Sequence, residues 1–272
     1  MNVIVTTLVV SLVLSALLGF LLGFFKKVFH VEVDPTESAV RAALPGANCG
    51  ACGYPGCDGL AAAIVRGDAP VNACPVGGAS CAAEVGRIMG VEGSAEKNVA
   101  MLLCQGSTEF CKPKAEYVGV KTCRAAKLSV NGTKLCDYAC MGFGDCEAAC
   151  PFDAIHVGAD GLPRVDYAKC TGCGICVAEC PQRTLTLTPF ERKGAIALCS
   201  NRNPRKAQVI KDCKIGCIKC MKCEKVCPKS AIKVTDGIPV VDYALCDSCG
   251  ECVKACPTHV LALIEEKVAL VR

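Results

Sequence analysis

Residues 217–228 read Cys-Ile-Lys-Cys-Met-Lys-Cys-Glu-Lys-Val-Cys-Pro, and residues 246–257 read Cys-Asp-Ser-Cys-Gly-Glu-Cys-Val-Lys-Ala-Cys-Pro. Both follow one rule, Cx2Cx2Cx3CP. Gaps of two residues place three sulfurs on one tight loop, and the proline after the fourth cysteine fixes its φ and ends the loop. In paired runs of this kind the fourth cysteine of each set binds the cluster of the other set. One four-iron cluster is therefore expected on Cys217, Cys220, Cys223 and Cys256, and its partner on Cys246, Cys249, Cys252 and Cys227. Short strands are expected at 231–234 and 260–263, after each loop. A zinc site is the competing use of CxxC pairs, but zinc takes two pairs per ion and has no use for the longer run.

The same unit occurs once more upstream. GLPRVDYAKCTGCGICVAECP at 161–181 returns as GIPVVDYALCDSCGECVKACP at 237–257. A repeat that keeps every cysteine while drifting elsewhere is one module used twice. Its first copy departs at one position, where Phe143 stands in place of Cys220. Cys136, separated from Cys140 by three residues, is expected to supply the missing ligand. That puts one cluster on Cys136, Cys140, Cys146 and Cys180 and the other on Cys170, Cys173, Cys176 and Cys150. The rival is a three-cysteine site with a labile iron.

Nearer the N-terminus, Cys49-x2-Cys52-x4-Cys57-x16-Cys74-Pro75 is framed by Gly50, Gly53, Gly56 and Gly59. Glycines between metal-binding cysteines let the backbone fold closely round a metal and aim its N–H groups at sulfur. This set is read as a fifth cluster site. Cys81 falls within an apolar helical stretch and is read as core. Cys104, Cys111, Cys123, Cys199 and Cys213 remain; a sixth cluster could draw on them, and spacing does not choose the four.

The chain has 272 residues and 26 cysteines, with no Trp, eight Phe and five Tyr. Cysteines grouped by short fixed gaps indicate metal sites, whereas disulfide frameworks scatter them. So few aromatics leave a thin core, and the clusters must serve as the core of each small module. The formal charge of +4 omits the metal. At roughly −2 for an oxidised cluster with its thiolates, five clusters would bring the total to roughly −6. No P-loop, no GxGxxG after a strand and nothing like a flavin or nicotinamide site is present, so hydride chemistry is not expected of this chain. It can pass single electrons. No nucleic-acid partner is expected.

Residues 3–25 carry no charge and are followed at once by Lys26 and Lys27. At about 1.5 Å per residue such a helix is long enough to span a bilayer. A cleaved signal peptide would need a basic start and a small-residue cleavage site, and neither is there. The lysines after the span place the remainder on the cytoplasmic side of a bacterial inner membrane, as a single-pass protein. Thr7, Ser11, Ser15, Gly19 and Gly23 recur every fourth residue, a stripe that would let another membrane helix approach.

Taken in order, these pieces resemble the B subunit of the Rnf complex, the membrane-bound ferredoxin:NAD oxidoreductase that couples electron flow to Na⁺ or H⁺ transport. The resemblance rests on the span ending in Lys26-Lys27, on LPGANCGACGYPGCDGLAAAIVRGDAPVNACPVGG at 44–78, and on the two cysteine-run repeats. It implies an electron-transfer subunit of a translocase, with reduced ferredoxin as donor and the other Rnf subunits and the membrane as partners. The fold expected is α+β: an anchor at 1–28, a 4Fe-4S domain at 33–92, a cysteine-containing connecting region at 93–135, ferredoxin modules at 136–190 and 213–272, and a linker at 191–212. Subunits of other membrane redox complexes, or a cluster scaffold or sensor, are the alternatives. Between Asn201 and Lys233, ten basic residues face only Asp212 and Glu224. Acidic soluble ferredoxins would be drawn to such a patch.

Overall fold

The computed structural model describes residues 2–29 and 34–264. Met1, Val33 and residues 265–272, at the ends of the expected anchor, first domain and last module, lie outside the described residues. Helix α1 (Asn2–Val28) is long and apolar enough to cross a membrane, and none of its described side chains is buried. Its hydroxyls turn back on the helix: Thr7 donates to Val3 and Ile4 carbonyls, Ser11 to Leu8 and Ser15 to Ser11. In lipid every polar group needs such an internal partner.

Three helices form the first soluble module: α2 (Pro35–Ala43), α3 (Gly56–Arg66) and α4 (Gly78–Met89). Asp34 caps α2 by accepting the Thr36 N–H, and left-handed Gly67 and Gly90 end α3 and α4. Val40, Leu60, Ala61, Ile64 and Val85 fill the space between them.

The rest of the chain is one plan executed twice. Strand β1 (Asn98–Leu102) and helix α5 (Cys123–Val130) precede the first cysteine run. Then come α6 (Asp145–Ala148), the hairpin β2 (Ile155–Val157) and β3 (Pro163–Val165), α7 (Ile175–Glu179) and β4 (Leu185–Pro189). In the second copy, β5 (Ala195–Ala197) and α8 (Lys206–Asp212) precede α9 (Lys222–Val226), the hairpin β6 (Ile232–Thr235) and β7 (Ile238–Val241), α10 (Glu251–Lys254) and β8 (Leu261–Leu263). The last strand of each copy pairs antiparallel with a strand far upstream: β4 with β1, and β8 with β5.

This pairing corrects the role expected of 93–135 and 191–212. Each supplies the opening strand of the module that follows. Strands of three to five residues are too short to give a periodicity to read. Strand β1 is held in place by contact: a Cβ at Gly172, whose φ is +68°, would run into the Asn98 carbonyl. Strand β5 is buried on both faces. Ala195 and Ala197 join the second module's core, with Ile232 and Leu261, while Ile196 packs into the first module's core, with Val99, Ile155 and Leu185. A strand's side chains alternate between its faces, so one three-residue strand joins the two modules.

Candidate metal centres

Four times in the second half a Cys-Pro step closes a loop in the same way. The cysteine sulfur accepts the backbone N–H four residues on: Cys150 from Ala154 at 3.4 Å, Cys180 from Thr184 at 3.4 Å, Cys227 from Ala231 at 3.3 Å and Cys256 from Val260 at 3.3 Å. The residue just before that N–H is left-handed each time, with Asp153, Arg183, Ser230 and His259 at φ between +50° and +52°. The turn costs backbone strain and aims a donor at sulfur, where it would favour the thiolate over the thiol.

The preceding loops are equally regular. The residues on either side of the run's second position are left-handed in all four: Gly142 and Gly144, Gly172 and Gly174, Lys219 and Met221, Ser248 and Gly250. Such a loop curls round whatever its sulfurs hold.

The thiols then converge on cavities. Cys217, Cys220, Cys223 and Cys256 line one, and Cys227, Cys246, Cys249 and Cys252 line the next. Cys150, Cys170, Cys173 and Cys176 line a third. These three gatherings coincide with the sets derived from spacing. The fourth does not. Cys140, Cys146 and Cys180 meet Cys123 there, and Cys136 lies elsewhere. Cys123 is the first residue of α5, whose N-terminus is held by Asp145: its carboxylate accepts the Cys123 N–H at 2.8 Å and the Arg124 N–H at 3.0 Å. The Phe143 ring is turned to Tyr117, with centroids 5.6 Å apart.

Cys136 instead lines a fifth cavity with Cys104, Cys199 and Cys213, and Cys111 packs with Cys136 and Cys213 behind it. In the first module Cys57 is the second residue of α3, its N–H donating to the Asn48 side chain at 2.8 Å. Cys52, Cys57 and Cys74 pack in one core between the helices. Cys49 sits three residues before Cys52 on the same loop. Cys81 is buried on α4, 3.4 Å from the Ala43 carbonyl and beside Cys74.

These surroundings suit a cluster. The cavity walls are mostly apolar, with Ala154, Ile155 and Val165 at one and Val234, Val260 and Leu261 at another. Thr171, whose buried hydroxyl has no hydrogen-bond partner among the described residues, lines the Cys170 cavity beside Cys173. Among the described residues no three metal-ligating side chains converge as a single ion requires. The four thiols of each set surround a volume instead. Burial pushes Cys140 and Cys176 up to about 12, and Cys223 and Cys252 to about 11. Without metal such thiols stay protonated at neutral pH, and loading must release their protons.

Known families divide the chain along the same lines. Residues 44–76 match an Fe-S cluster family, 140–154 and 163–186 match 4Fe-4S binding domains, and 216–260 match the 4Fe-4S dicluster domain. The B subunit of the Na⁺-translocating ferredoxin:NAD⁺ oxidoreductase complex of Acetobacterium woodii is 49% identical over 87% of this chain and 71% of its own length. The B subunit of the ion-translocating oxidoreductase complex of Methanosarcina acetivorans is 40% identical over 87% and 89%. The proton-translocating counterpart from Clostridium ljungdahlii is 38% identical over 97% and 94%. This chain belongs to the RnfB family. As an RnfB protein it is the iron–sulfur electron-transfer subunit of an ion-translocating oxidoreductase complex of the membrane, and it carries several 4Fe-4S clusters. Sequence reasoning left Cys123 among the unassigned cysteines. Its position depends on a contact with Asp145, 22 residues away, which no spacing rule encodes.

Proposed function

We propose that this RnfB chain accepts electrons one at a time from reduced ferredoxin at its second ferredoxin module and relays them toward the membrane subunits, with its soluble part on the cytoplasmic side. A 4Fe-4S cluster supplies reversible one-electron chemistry when bound. The chain's own residues do the rest. Five sets of thiolates hold the clusters: Cys49, Cys52, Cys57 and Cys74; Cys123, Cys140, Cys146 and Cys180; Cys150, Cys170, Cys173 and Cys176; Cys217, Cys220, Cys223 and Cys256; and Cys227, Cys246, Cys249 and Cys252. Backbone N–H groups aimed at sulfur offset the negative charge, and the apolar walls keep water away, the two levers that set a potential. The repeated convergence of four thiols on an apolar cavity carries this reading.

The docking surface follows from exposure around α9. Lys222 and Lys225 are exposed, with no ion pair among the described residues, and Met221 and Val226 are exposed beside them. Apolar contact ringed by lysines over the half-buried Cys220 suits a small acidic protein that must approach a cluster closely. Lys219 has another duty: its amine bonds the Asn203 carbonyl. Changing Lys222 and Lys225 to Glu should slow reduction by ferredoxin on the order of tenfold at low salt and flatten its salt dependence. Reduction by a small uncharged donor should be unaffected. Unchanged ferredoxin kinetics and salt dependence would move the docking site elsewhere, the first module being next in line.

A further inference from the structure

We infer that a further four-iron cluster sits at the joint between the two ferredoxin modules, held by Cys104 and Cys136 from the first and Cys199 and Cys213 from the second. The inference rests on the reading of the other thiol cavities as cluster sites. These four cysteines line one cavity, and they are two related pairs. Cys104 follows the opening strand of the first module and Cys199 that of the second. The residues just before them make the same bond: Leu103 N–H to the Thr184 carbonyl at 2.6 Å, and Leu198 N–H to the Val260 carbonyl at 2.8 Å. Cys136 and Cys213 are likewise counterparts, each four residues before the first cysteine of a run. Each module thus offers half a site, and the site is complete only where the two meet.

The donors around the cavity fit a thiolate-bound cluster. Cys104 sulfur accepts N–H groups from Gly106 at 3.4 Å and Cys140 at 3.5 Å, and Cys199 sulfur accepts that of Cys217 at 3.4 Å. The buried Asn201 amide donates to Cys136 sulfur at 3.2 Å. Lys134 points to an anionic occupant. It is 4% exposed, its amine donates to the Gly106 carbonyl at 2.8 Å, and no carboxylate pairs with it among the described residues. A buried ammonium needs a compensating charge, and a cluster with four thiolates brings roughly −2. Cys111, fully buried, does not line the cavity and packs behind Cys136 and Cys213.

The position gives the site its use. Its ligands Cys104 and Cys199 accept the backbone N–H groups of Cys140 and Cys217, the first cysteine of a run in each module. A cluster here closes the gap between the modules.

The test uses the full chain, prepared anaerobically, with iron and acid-labile sulfide counted and EPR recorded under redox titration. Cys199→Ala and Cys213→Ala should each lose about four irons and four sulfides and one EPR signal, while Cys111→Ala should lose none. Lys134→Met should keep its iron and move one EPR signal, and one alone, to a lower potential. This arm holds even where a cysteine variant folds poorly. Cys220→Ala separates the two readings: if it too keeps all its iron, the assignment of every cavity fails. If it loses a cluster while the Cys199 and Cys213 variants lose none, the joint site alone is overturned. An unchanged potential in Lys134→Met, or loss of iron in Cys111→Ala, also overturns the site as assigned.

Discussion

The loop at 140–146 and the loop at 217–223 share a backbone and differ in chemistry. Both carry left-handed residues on either side of the second position, at φ +79° and +86° in the first and +56° and +58° in the second. The second loop places Cys220 between them, and the first places Phe143. A loop that keeps its shape without its middle thiol is not shaped by that thiol. Its conformation comes from the backbone, and the fourth sulfur can be supplied from any element that reaches the cavity. In the first module that element is α5, which brings Cys123.

The largest expected effect separates supply from shape. Cys123→Ala should cost the first module one cluster, about four irons per chain. Adding Phe143→Cys should restore it, because the loop already holds that position where Cys220 stands in the second module. Phe143→Cys should not rescue Cys136→Ala, whose thiol lies in another cavity. Rescue of the Cys136 variant, or failure to rescue the Cys123 variant, would break the comparison.

A smaller effect is expected at the support of α5. Asp145→Ala removes the acceptor of two N–H groups and should cost about 1–2 kcal/mol, read as faster loss of one cluster's absorbance on warming. Lys222 occupies the corresponding position in the second module, and Lys222→Ala should leave cluster loss unchanged. Smaller again is the backbone difference itself. Met221 pays for a left-handed φ that Gly144 adopts freely, so Met221→Gly should slow denaturation slightly. Gly144→Met should cost about 1–2 kcal/mol, from strain more than from crowding, since a Cβ there meets nothing nearer than 3.6 Å. Equal stability of the two exchanges would mean that the loops are not equivalent.

Much of this was legible in the cysteines. The run at 217–228, its partner at 246–257 and the upstream repeat lead to three four-thiol sets that the structure brings together, and the two strands expected at 231–234 and 260–263 fall within a residue of β6 and β8. What escaped depends on contacts between distant segments. That Cys123, and not Cys136, lines the Cys140 cavity follows from Asp145 holding the start of α5. The pairing of Cys104 and Cys136 with Cys199 and Cys213 follows from β5 being buried between two cores. Strands β1 and β5 were hidden in segments read as connectors, because a strand's register is set by its partner and their partners lie more than 60 residues away. The half-site character of the joint is visible only when both halves are in view.

The most direct test of the central claim is the amount of iron and acid-labile sulfide bound per full chain after anaerobic preparation, with zinc measured on the same sample. The first-module set, the four cavity sets and the joint site together should give about 24 irons, an equal amount of sulfide and no stoichiometric zinc. Iron without matching sulfide, or zinc in its place, would contradict the reading of this chain as a series of iron–sulfur clusters.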